Sequence, residues 1–301
     1  MRPSLVTICI PAYNAAPYLD ASIASALAQT FTDTEVLVVD NASTDETTKI
    51  ARRFTRQDHR VRLAVNDTNI GMTGNFNRCL ELSSSPYVKY LCADDLLSPN
   101  CVERMLGILE SAPDIVLVGS SRYRISSAGE VVERVGFSRQ DVFINGHDVI
   151  SRCFFRGNAI GEPSAVMFRR ADAVRGFELE YNQAVDLEMW FHLLEKGRFA
   201  FIAEPLCSIR VHEGQQTARN LRSGRVVADK QRLFRDFAGK PYLRAKTWDR
   251  LIWDTRMASS VAKAGRAMGE IRTPSIGEVY FPSVFRWALL PGVALATGSA
   301  S

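Results

Sequence analysis

The sequence lacks the features that mark disulfide-rich, zinc-binding or membrane-spanning proteins. Its six cysteines include no CxxC pair, stand at no spacing from histidine that suggests a zinc site, and form no disulfide pattern. Free thiols are typical of a reducing compartment, so we expect a cytoplasmic protein. The N-terminal stretch MRPSLVTICIPAYN is a poor signal peptide, because it has one arginine and a short β-branched run that Pro11 interrupts. No run of about 18 apolar residues predicts a bilayer span.

The net charge is small but unevenly distributed along the chain. The formal charge is only +4 over 301 residues. From Arg219 to Arg272 there are 14 Lys or Arg and 5 Asp or Glu, which gives this stretch a charge of +9 and leaves residues 1–218 at −5. The length allows one large domain, or one domain followed by an extension. The sequence therefore predicts an acidic body and a basic tail.

Apolar runs and helical spacing alternate in the first half of the chain. The predicted strands are Leu5–Ile10, Glu35–Asp40, Val61–Val65, Tyr87–Cys92 and Ile115–Val118. Helices are predicted between them at Pro17–Gln29, Ser43–Asp58, Thr73–Ser83 and Ser98–Ser111, the second starting in a capping box and the fourth at a Ser-Pro cap. This alternation predicts an α/β fold, with a mostly parallel sheet flanked by helices.

The alternation loosens after residue 118. We predict helices at Asp148–Phe155 and Ala184–Lys196, and strands at Ser164–Phe168 and Phe199–Ala203. The basic tail is predicted to be helical, over Arg222–Phe237 and Leu243–Met268.

Acidic residues end two of the predicted strands, where open parallel sheets bind ligands. Asp40 could accept a hydrogen bond from a nucleobase N–H, or Asp40 and Asn41 could organise the turn before the next helix. Asp94 and Asp95 repel each other unless a positive group lies beside them, and Mg²⁺ or Mn²⁺ would be such a group. The alternative is a solvated turn that leads to the next helix.

Seven motifs in one order carry a family resemblance. They are TICIPAYNAAPYLDASIASALAQTF, EVLVVDNASTDET, NIGMTGNFN, YVKYLCADDLLSPN, GNAIGEPSAVMFRR, AVDLEMWFHLLEKG and LCSIRVHEGQQT. Over roughly residues 4–217 this set resembles the large inverting family-2 glycosyltransferases of GT-A fold. The resemblance implies a Rossmann-like catalytic domain over 1–217, with a nucleotide-sugar half of about 1–118 and an acceptor half of about 119–217. A basic helical extension over 218–301 would follow it.

The resemblance implies a nucleotide-sugar site with a divalent metal, Mn²⁺ or Mg²⁺. Cys92 stands where many members have the first aspartate of an Asp-x-Asp-Asp motif. Asp95 is the expected direct metal ligand, and His212 is expected near the metal or the diphosphate. The residues expected to contact the nucleotide-sugar are Pro11, Ala12, Tyr13, Asp40, Asn69, Gly71, Asp94 and His212, with Gln215 and Thr217 as weaker candidates.

The resemblance also implies a catalytic base on the predicted helix Ala184–Lys196. The family places an aspartate where this chain has Asp186, and Val185 replaces the glutamate that usually precedes it. Asp186 and Trp190 are four residues apart, so both should face one side of the helix while Glu188 points elsewhere. The alternative role for Asp186 is a helix N-terminal acid stabilised by the macrodipole. Glu188 is the fallback base, and Trp190 and Phe191 are expected in the core.

The implied activity is a metal-dependent, inverting transfer of sugar from a nucleotide-diphosphate donor to an acceptor hydroxyl. The resemblance suggests cell-surface polysaccharide or glycolipid synthesis, with a carbohydrate or lipid-linked acceptor. A non-catalytic nucleotide-sugar-binding protein is the alternative. A nucleotidyltransferase is less well supported, because a glycine-rich phosphate loop with a basic residue is missing after the first strand. A nucleic-acid partner is not expected, because the tail has no recognisable motif for one and the body is acidic.

The basic tail allows two further expectations. It could contact anionic lipids at the inner face of the cell membrane, helped by the apolar segment Val284–Thr297. It could instead pack on the catalytic domain or on a second subunit, as in a homo-oligomer.

Overall fold

The structure of the protein is a computed structural model that describes residues 4–212, 215, 220, 223, 225–243 and 247–267. The chain divides into two compact units. The first comprises Met1–Val149, Asn158–Tyr181 and Val185–Glu213, and the second comprises Ile150–Gly157, Asn182–Ala184 and Gly214–Ser301. The predicted domain boundary at residues 217 and 218, the candidate Thr217 and the segment Val284–Thr297 lie outside the described residues.

A single sheet forms the centre of the first unit. Its ten strands in the described residues are β1 Val6–Ala12, β2 Thr34–Asp40, β3 Val61–Val65, β4 Tyr87–Tyr90, β5 Leu96–Leu97, β6 Ile115–Ile125, β7 Val131–Val135, β8 Val142–Asn145, β9 Val166–Arg169 and β10 Arg198–Arg210. Their order is β3-β2-β1-β4-β9-β6-β10-β5, with β7 on β6 and β8 on β10. Strands β3, β2, β1 and β4 run parallel, as do β6 and β10, while β9 lies antiparallel between β4 and β6.

The helices in the first half of the chain alternate with the strands as the hydrophobic pattern predicts. The described helices are α1 Ala16–Leu27, α2 Thr47–Gln57, α3 Gly71–Leu82, α4 Cys101–Ser111, α5 Gly146–Arg156, α6 Val185–Leu194, α7 Arg225–Phe237 and α8 Thr247–Ala267. Strands β1 and β2 are almost entirely buried, with Ile8, Ile10, Val36 and Val38 at 0% exposure. The predicted α/β class with a mostly parallel sheet is confirmed.

Two predicted helix starts are wrong, because the capping hydroxyls bond elsewhere. Helix α2 begins at Thr47, and the hydroxyl of Ser43 donates to Asp40 instead of capping the helix. Helix α4 begins at Cys101, because the hydroxyl of Ser98 donates to the carbonyl of Pro205 in β10. The Ser43 hydroxyl thus bonds to the last residue of β2, and the Ser98 hydroxyl, just after β5, bonds to β10.

The strands of the sheet exceed the prediction in number and in length. Strands β5, β7 and β8 were not expected, and they are short partners of the longer strands β6 and β10. Strand β10 covers 13 residues, with irregular register between Ile202 and Cys207. Short apolar runs thus underestimate a strand that continues through bulges.

The second unit has an aromatic core of its own. Phe154 of α5 stacks on Trp253 of α8 with ring centroids 4.6 Å apart, and Phe234 of α7 lies 5.7 Å from Trp253. These rings are at most 7% exposed. None of the helices among the described residues combines the length and apolar character that crossing a bilayer requires.

We expect Trp253→Ala to destabilise the protein by about 3–5 kcal/mol, because it removes the ring on which Phe154 and Phe234 pack. Leu251→Ala is the matched control on the same helix, because Leu251 is 42% exposed and should change stability by less than about 0.5 kcal/mol. Urea unfolding followed by fluorescence and circular dichroism measures both. Equal effects of the two substitutions would show that this aromatic core is absent.

Candidate active site

Parallel pairing brings the ends of β1, β2 and β3 to one edge of the sheet. Ala12 pairs with Asp40, and Asp40 pairs with Val65. The residues that follow these strands therefore emerge side by side. Tyr13 is 42% exposed at this edge, whereas Ala12 is buried and Pro11 is half-buried.

Asp40 is fully buried, and its carboxylate holds the turn that precedes α2. Its Oδ1 accepts hydrogen bonds from the backbone N–H of Ser43 at 3.1 Å and from the Ser43 hydroxyl at 2.5 Å. Its Oδ2 accepts one from the hydroxyl of Thr48. These contacts support the turn-organising interpretation, and recognition of a nucleobase by Asp40 stays a prediction.

A buried amide that the sequence analysis assigned only to a turn holds the predicted nucleoside loop. Asn41 is 2% exposed, and its Nδ2 donates to Oδ1 of Asn69 at 2.9 Å and to the carbonyl of Gly71 at 3.1 Å. Its Oδ1 accepts from Asn66 and from the backbone of Ile70, each at 3.0 Å. Gly71 has φ +80°, a left-handed conformation that suits glycine. Asn69 and Gly71 are themselves exposed, as a binding loop requires.

The adjacent acids Asp94 and Asp95 have different surroundings. Oδ2 of Asp94 lies 3.1 Å from Nε2 of His212, and both side chains are partly exposed. Asp95 is 2% exposed, and it accepts hydrogen bonds from the Ser164 hydroxyl at 2.6 Å and from the backbone N–H of Arg210 at 2.9 Å. Burial, together with the charge of Asp94, raises the pKa of Asp95 well above its usual range. Asp94 is therefore the more accessible of the two.

Arg210 and Tyr18, which the sequence analysis did not single out, surround His212 and the Asp94 loop. The guanidinium of Arg210 lies 4.7 Å from the Tyr18 ring centroid and donates to the Asp94 carbonyl at 2.9 Å. The Tyr18 ring also lies 5.1 Å from the His212 ring. The Tyr18 ring thus contacts both the Arg210 cation and the imidazole that faces Asp94.

Asp186 lies in the first turn of α6, as the helix prediction requires. Its Oδ2 accepts from Nδ2 of Asn158 at 3.0 Å, and its Oδ1 accepts from the backbone N–H of Leu187 at 2.7 Å. Burial raises the pKa of Asp186 to about 7, the charge of Glu162 adds to the rise, and the Leu187 N–H opposes it. A carboxyl with such a pKa can take up and release a proton near neutral pH.

The helix orientation predicted for α6 is confirmed by these contacts. The carbonyl of Gly161 accepts from Nε1 of Trp190 at 3.0 Å and from Nδ2 of Asn158, which also donates to Asp186. Trp190 and Phe191 are fully buried, as expected. Glu188 instead forms a two-pronged ion pair with Arg175, at 2.8 and 2.7 Å, which is unfavourable to a role as the fallback base.

Glu162, which lies within the motif GNAIGEPSAVMFRR, is a further acid of the site that was not among the predicted site residues. Its carboxylate lies 2.5 Å from Nε of Arg122, a β6 side chain that is only 2% exposed. The charge of Glu162 raises the pKa of both Asp95 and Asp186. The pairing with Arg122 depends on tertiary contact between residues 40 apart, and no local pattern indicates it.

The acids converge on one region of the first unit. The pKa of the Cys92 thiol is raised well above its usual range by burial first, and then by the charges of Asp95, Asp94 and Asp186. Among the described residues, no cluster of three or more His, Cys, Asp or Glu forms a complete metal site. Gln215 is half-buried and belongs to the second unit.

Comparison with known proteins identifies the class to which this fold and site belong. The family model "Glycosyl transferase family 2" matches residues 7–175, so the chain belongs to that family. It is 29% identical over 239 residues to an uncharacterized protein of Mycobacterium tuberculosis, covering 76% of this chain and 74% of the relative. It is 30% identical over 220 residues to chondroitin synthase of Escherichia coli, covering 72% of this chain but only 30% of the synthase. The chain is thus a glycosyltransferase.

Solved structures give the fold in more detail. S. aureus TarS 1–349 in complex with UDP-GlcNAc matches with a TM-score of 0.62 at 15% identity, covering 93% of this chain and 88% of that one. The mannosyltransferase PcManGT from Pyrobaculum calidifontis in complex with GDP-Man and Mn²⁺ matches with a TM-score of 0.58 at 20% identity, covering 96% and 81%. The predicted GT-A fold is confirmed.

The raised pKa of Asp186 predicts a pH-dependent stability. Because its pKa is higher in the folded chain, at about 7, than in the unfolded chain, folding takes up a proton, and stability falls as pH rises from about 4 to 7. Above pH 7, we expect Asp186→Asn to raise the melting temperature and to increase the free energy of unfolding by at most about 4 kcal/mol. Below pH 4, we expect the substitution to leave both quantities unchanged. Calorimetry across pH 4–8 measures this. A gain that does not vary with pH would contradict the assignment.

Proposed function

We propose that this glycosyltransferase is a metal-dependent, inverting enzyme that moves a sugar from a nucleotide-diphosphate donor to an acceptor hydroxyl. The observation that carries the proposal is the segment 158–164 of the first unit, in which Asn158 donates to Asp186 and Ser164 donates to Asp95. Acids that one segment brings together in this way can serve both a cation and a proton transfer.

The donor is proposed to lie along the ends of β1 and β2. Tyr13 offers an exposed ring to a base, and Asn69 and Gly71 form a loop that Asn41 holds in place. The complexes named for the two structural neighbours, with UDP-GlcNAc and GDP-Man, support a nucleotide-sugar as the ligand. We retain Asp40 as a proposed contact of the base because it ends β2 beside Ala12, next to the exposed Tyr13.

The residues at Asp94 fit a divalent metal that takes most of its ligands from substrate. A carboxylate and an imidazole, 3.1 Å apart and both partly exposed, suit Mn²⁺, and Mg²⁺ is commonly held by one or two carboxylates plus phosphate oxygens. We therefore assign Asp94 and His212 as metal ligands, and we assign Asp95 to hold the loop through Ser164 and Arg210. This departs from the expectation that Asp95 is the direct ligand. A bound Mn²⁺ or Mg²⁺ would act as a Lewis acid that offsets the charge of the leaving diphosphate.

Asp186 is proposed to take the proton from the attacking hydroxyl. Asn158 and the Leu187 N–H fix both of its oxygens, and its pKa of about 7 suits a base that works near neutral pH. The hydroxyl oxygen forms its bond to the anomeric carbon as the bond to the diphosphate breaks, and its proton passes to Asp186. Attack from the face opposite the leaving group inverts the anomeric centre.

The acceptor is proposed to be a carbohydrate or a lipid-linked sugar in cell-surface polysaccharide or glycolipid synthesis. The support is the similarity to a chondroitin synthase, of which this chain spans less than a third. We further propose that the reaction takes place in the cytoplasm, with the basic tail near the inner face of the cell membrane. Self-association of the chain stays a prediction.

Asp186→Asn should reduce donor turnover at least about a hundredfold, because a positioned base typically contributes that much or more. Donor affinity should change little, since the substitution keeps the shape of the side chain. Release of nucleoside diphosphate from UDP-GlcNAc and GDP-Man, with acceptor extract or water, measures turnover, and calorimetric titration measures affinity. The wild-type rate should rise through pH 7. A variant with near-normal turnover would favour a non-catalytic nucleotide-sugar-binding protein or another base.

Asp94→Ala should weaken Mn²⁺-dependent donor binding about tenfold or more, because it removes a proposed metal ligand. The measurement is a thermal-shift titration of UDP-, GDP- and dTDP-sugars with and without Mn²⁺, in which a true donor raises the melting temperature by mass action. Glu110→Gln, an exposed acid on α4, is the control and should retain the wild-type shift. If Asp95→Ala abolished the Mn²⁺ effect and Asp94→Ala did not, Asp95 would be the direct ligand after all.

A further inference from the structure

Three consecutive backbone N–H groups in the second unit point at a single carboxylate oxygen. Asn182, Gln183 and Ala184 donate to Oδ2 of Asp229 at 2.7, 2.5 and 2.9 Å. Converging N–H groups of this kind form a concavity that binds anions. Here the anion belongs to the protein, since Asp229 lies on α7 and is only 2% exposed. The predicted basic extension thus supplies a buried acid.

The side chain of Asn220 also binds residues 182–184, by donating hydrogen bonds to their acceptors. Asn220, which is 1% exposed, donates through Nδ2 to the carbonyl of Asn182 at 2.8 Å and to Oε1 of Gln183 at 2.9 Å. Donors and acceptors of residues 182–184 are therefore both engaged by residues of the extension. Hydrogen bonds to an ionised acceptor are the stronger kind, so Asp229 is the principal restraint.

The restrained segment runs directly into the helix that carries Asp186. Helix α6 begins at Val185, one residue after Ala184, and Asp186 is its second residue. Peptide planarity leaves only two soft dihedral angles per residue, so the hydrogen bonds to residues 182–184 restrict the backbone that leads into α6. A base displaced by about 1 Å can cost about a hundredfold in rate.

We propose that Asp229 is a positioning residue for Asp186, acting through the backbone of residues 182–184. This inference rests on the proposed role of Asp186 as base. Asp229 does not touch the reacting atoms. It acts through the backbone of residues 182–184, and its loss would move or loosen the base without altering the donor loop at Asn69 and Gly71.

The test compares Asp229→Asn with Asp236→Asn. Asp236 is an exposed acid on the same helix, paired with its neighbour Arg235, so it is a matched control for a charge lost from α7. Hydrogen–deuterium exchange should be faster in a peptide spanning residues 180–187 of the Asp229 variant only. For UDP-GlcNAc or GDP-Man turnover, kcat should fall about tenfold to a hundredfold while the donor KM stays within about twofold. The pH at half-maximal rate should move away from about 7, because the surroundings of Asp186 change.

The test also includes a melting-temperature measurement, which does not depend on enzyme turnover. The pH-dependent gain in melting temperature caused by Asp186→Asn should differ between the wild-type and Asp229→Asn backgrounds, because the gain reports the surroundings of Asp186. An unchanged gain, or faster exchange with normal kcat and pH profile, would overturn the inference. A raised KM with normal kcat would overturn it in favour of donor binding. A wild-type protein that turns over no donor would contradict the proposed function alone, since the melting comparison still decides whether Asp229 positions Asp186.

Discussion

Carboxylates that lie close together, with Asp95 buried and the others half-buried, set the main constraint on this protein. Burial is the main cause that disfavours the ionised forms of Asp95 and Asp186. The charges of Asp94 and Glu162 add to the effect at Asp95, and the charge of Glu162 adds to it at Asp186. The fold offsets this cost by placing a donor or a cation beside each acid. The partners are Ser164 and the Arg210 backbone for Asp95, His212 for Asp94, Arg122 for Glu162, and Asn158 for Asp186. Removing a partner therefore disturbs its neighbours as well.

These partners come from distant parts of the chain, so the acids depend on the sheet. Arg122 lies on β6, Arg210 on β10, and Ser164 in the turn that precedes β9, and these three strands are neighbours in the sheet. The ammonium of Lys89, fully buried in β4, donates to the carbonyls of Ser164 and Val166 and fixes that turn from the other side. Register errors in the sheet would separate the acids from their hydrogen-bond and ion-pair partners.

The sequence allowed the fold class and the main acids to be predicted, because both follow from local patterns. Strand and helix alternation is visible in the apolar spacing, and Asp94, Asp95 and Asp186 lie within motifs. Glu162 and Asp229 could not be found in this way, since their roles depend on partners 40 or more residues away. The misplaced helix starts have the same origin, because the hydroxyl of Ser43 had a tertiary partner in Asp40 that outweighed its local one.

Cys92 shows how one substitution can fit this electrostatic constraint. The chain has a thiol where many family members have a carboxylate, and burial beside Asp95, Asp94 and Asp186 raises its pKa, which keeps the thiol neutral near pH 7. Its backbone N–H still donates to Ser164 at 2.8 Å, so the link from this turn to Asp95 is retained. A carboxylate at position 92 would add another negative charge to a group whose members already oppose one another's ionisation. The neutral thiol therefore leaves the ionisation of Asp186 near pH 7 dependent on burial, on the Leu187 N–H and on Glu162, rather than on the residue at position 92.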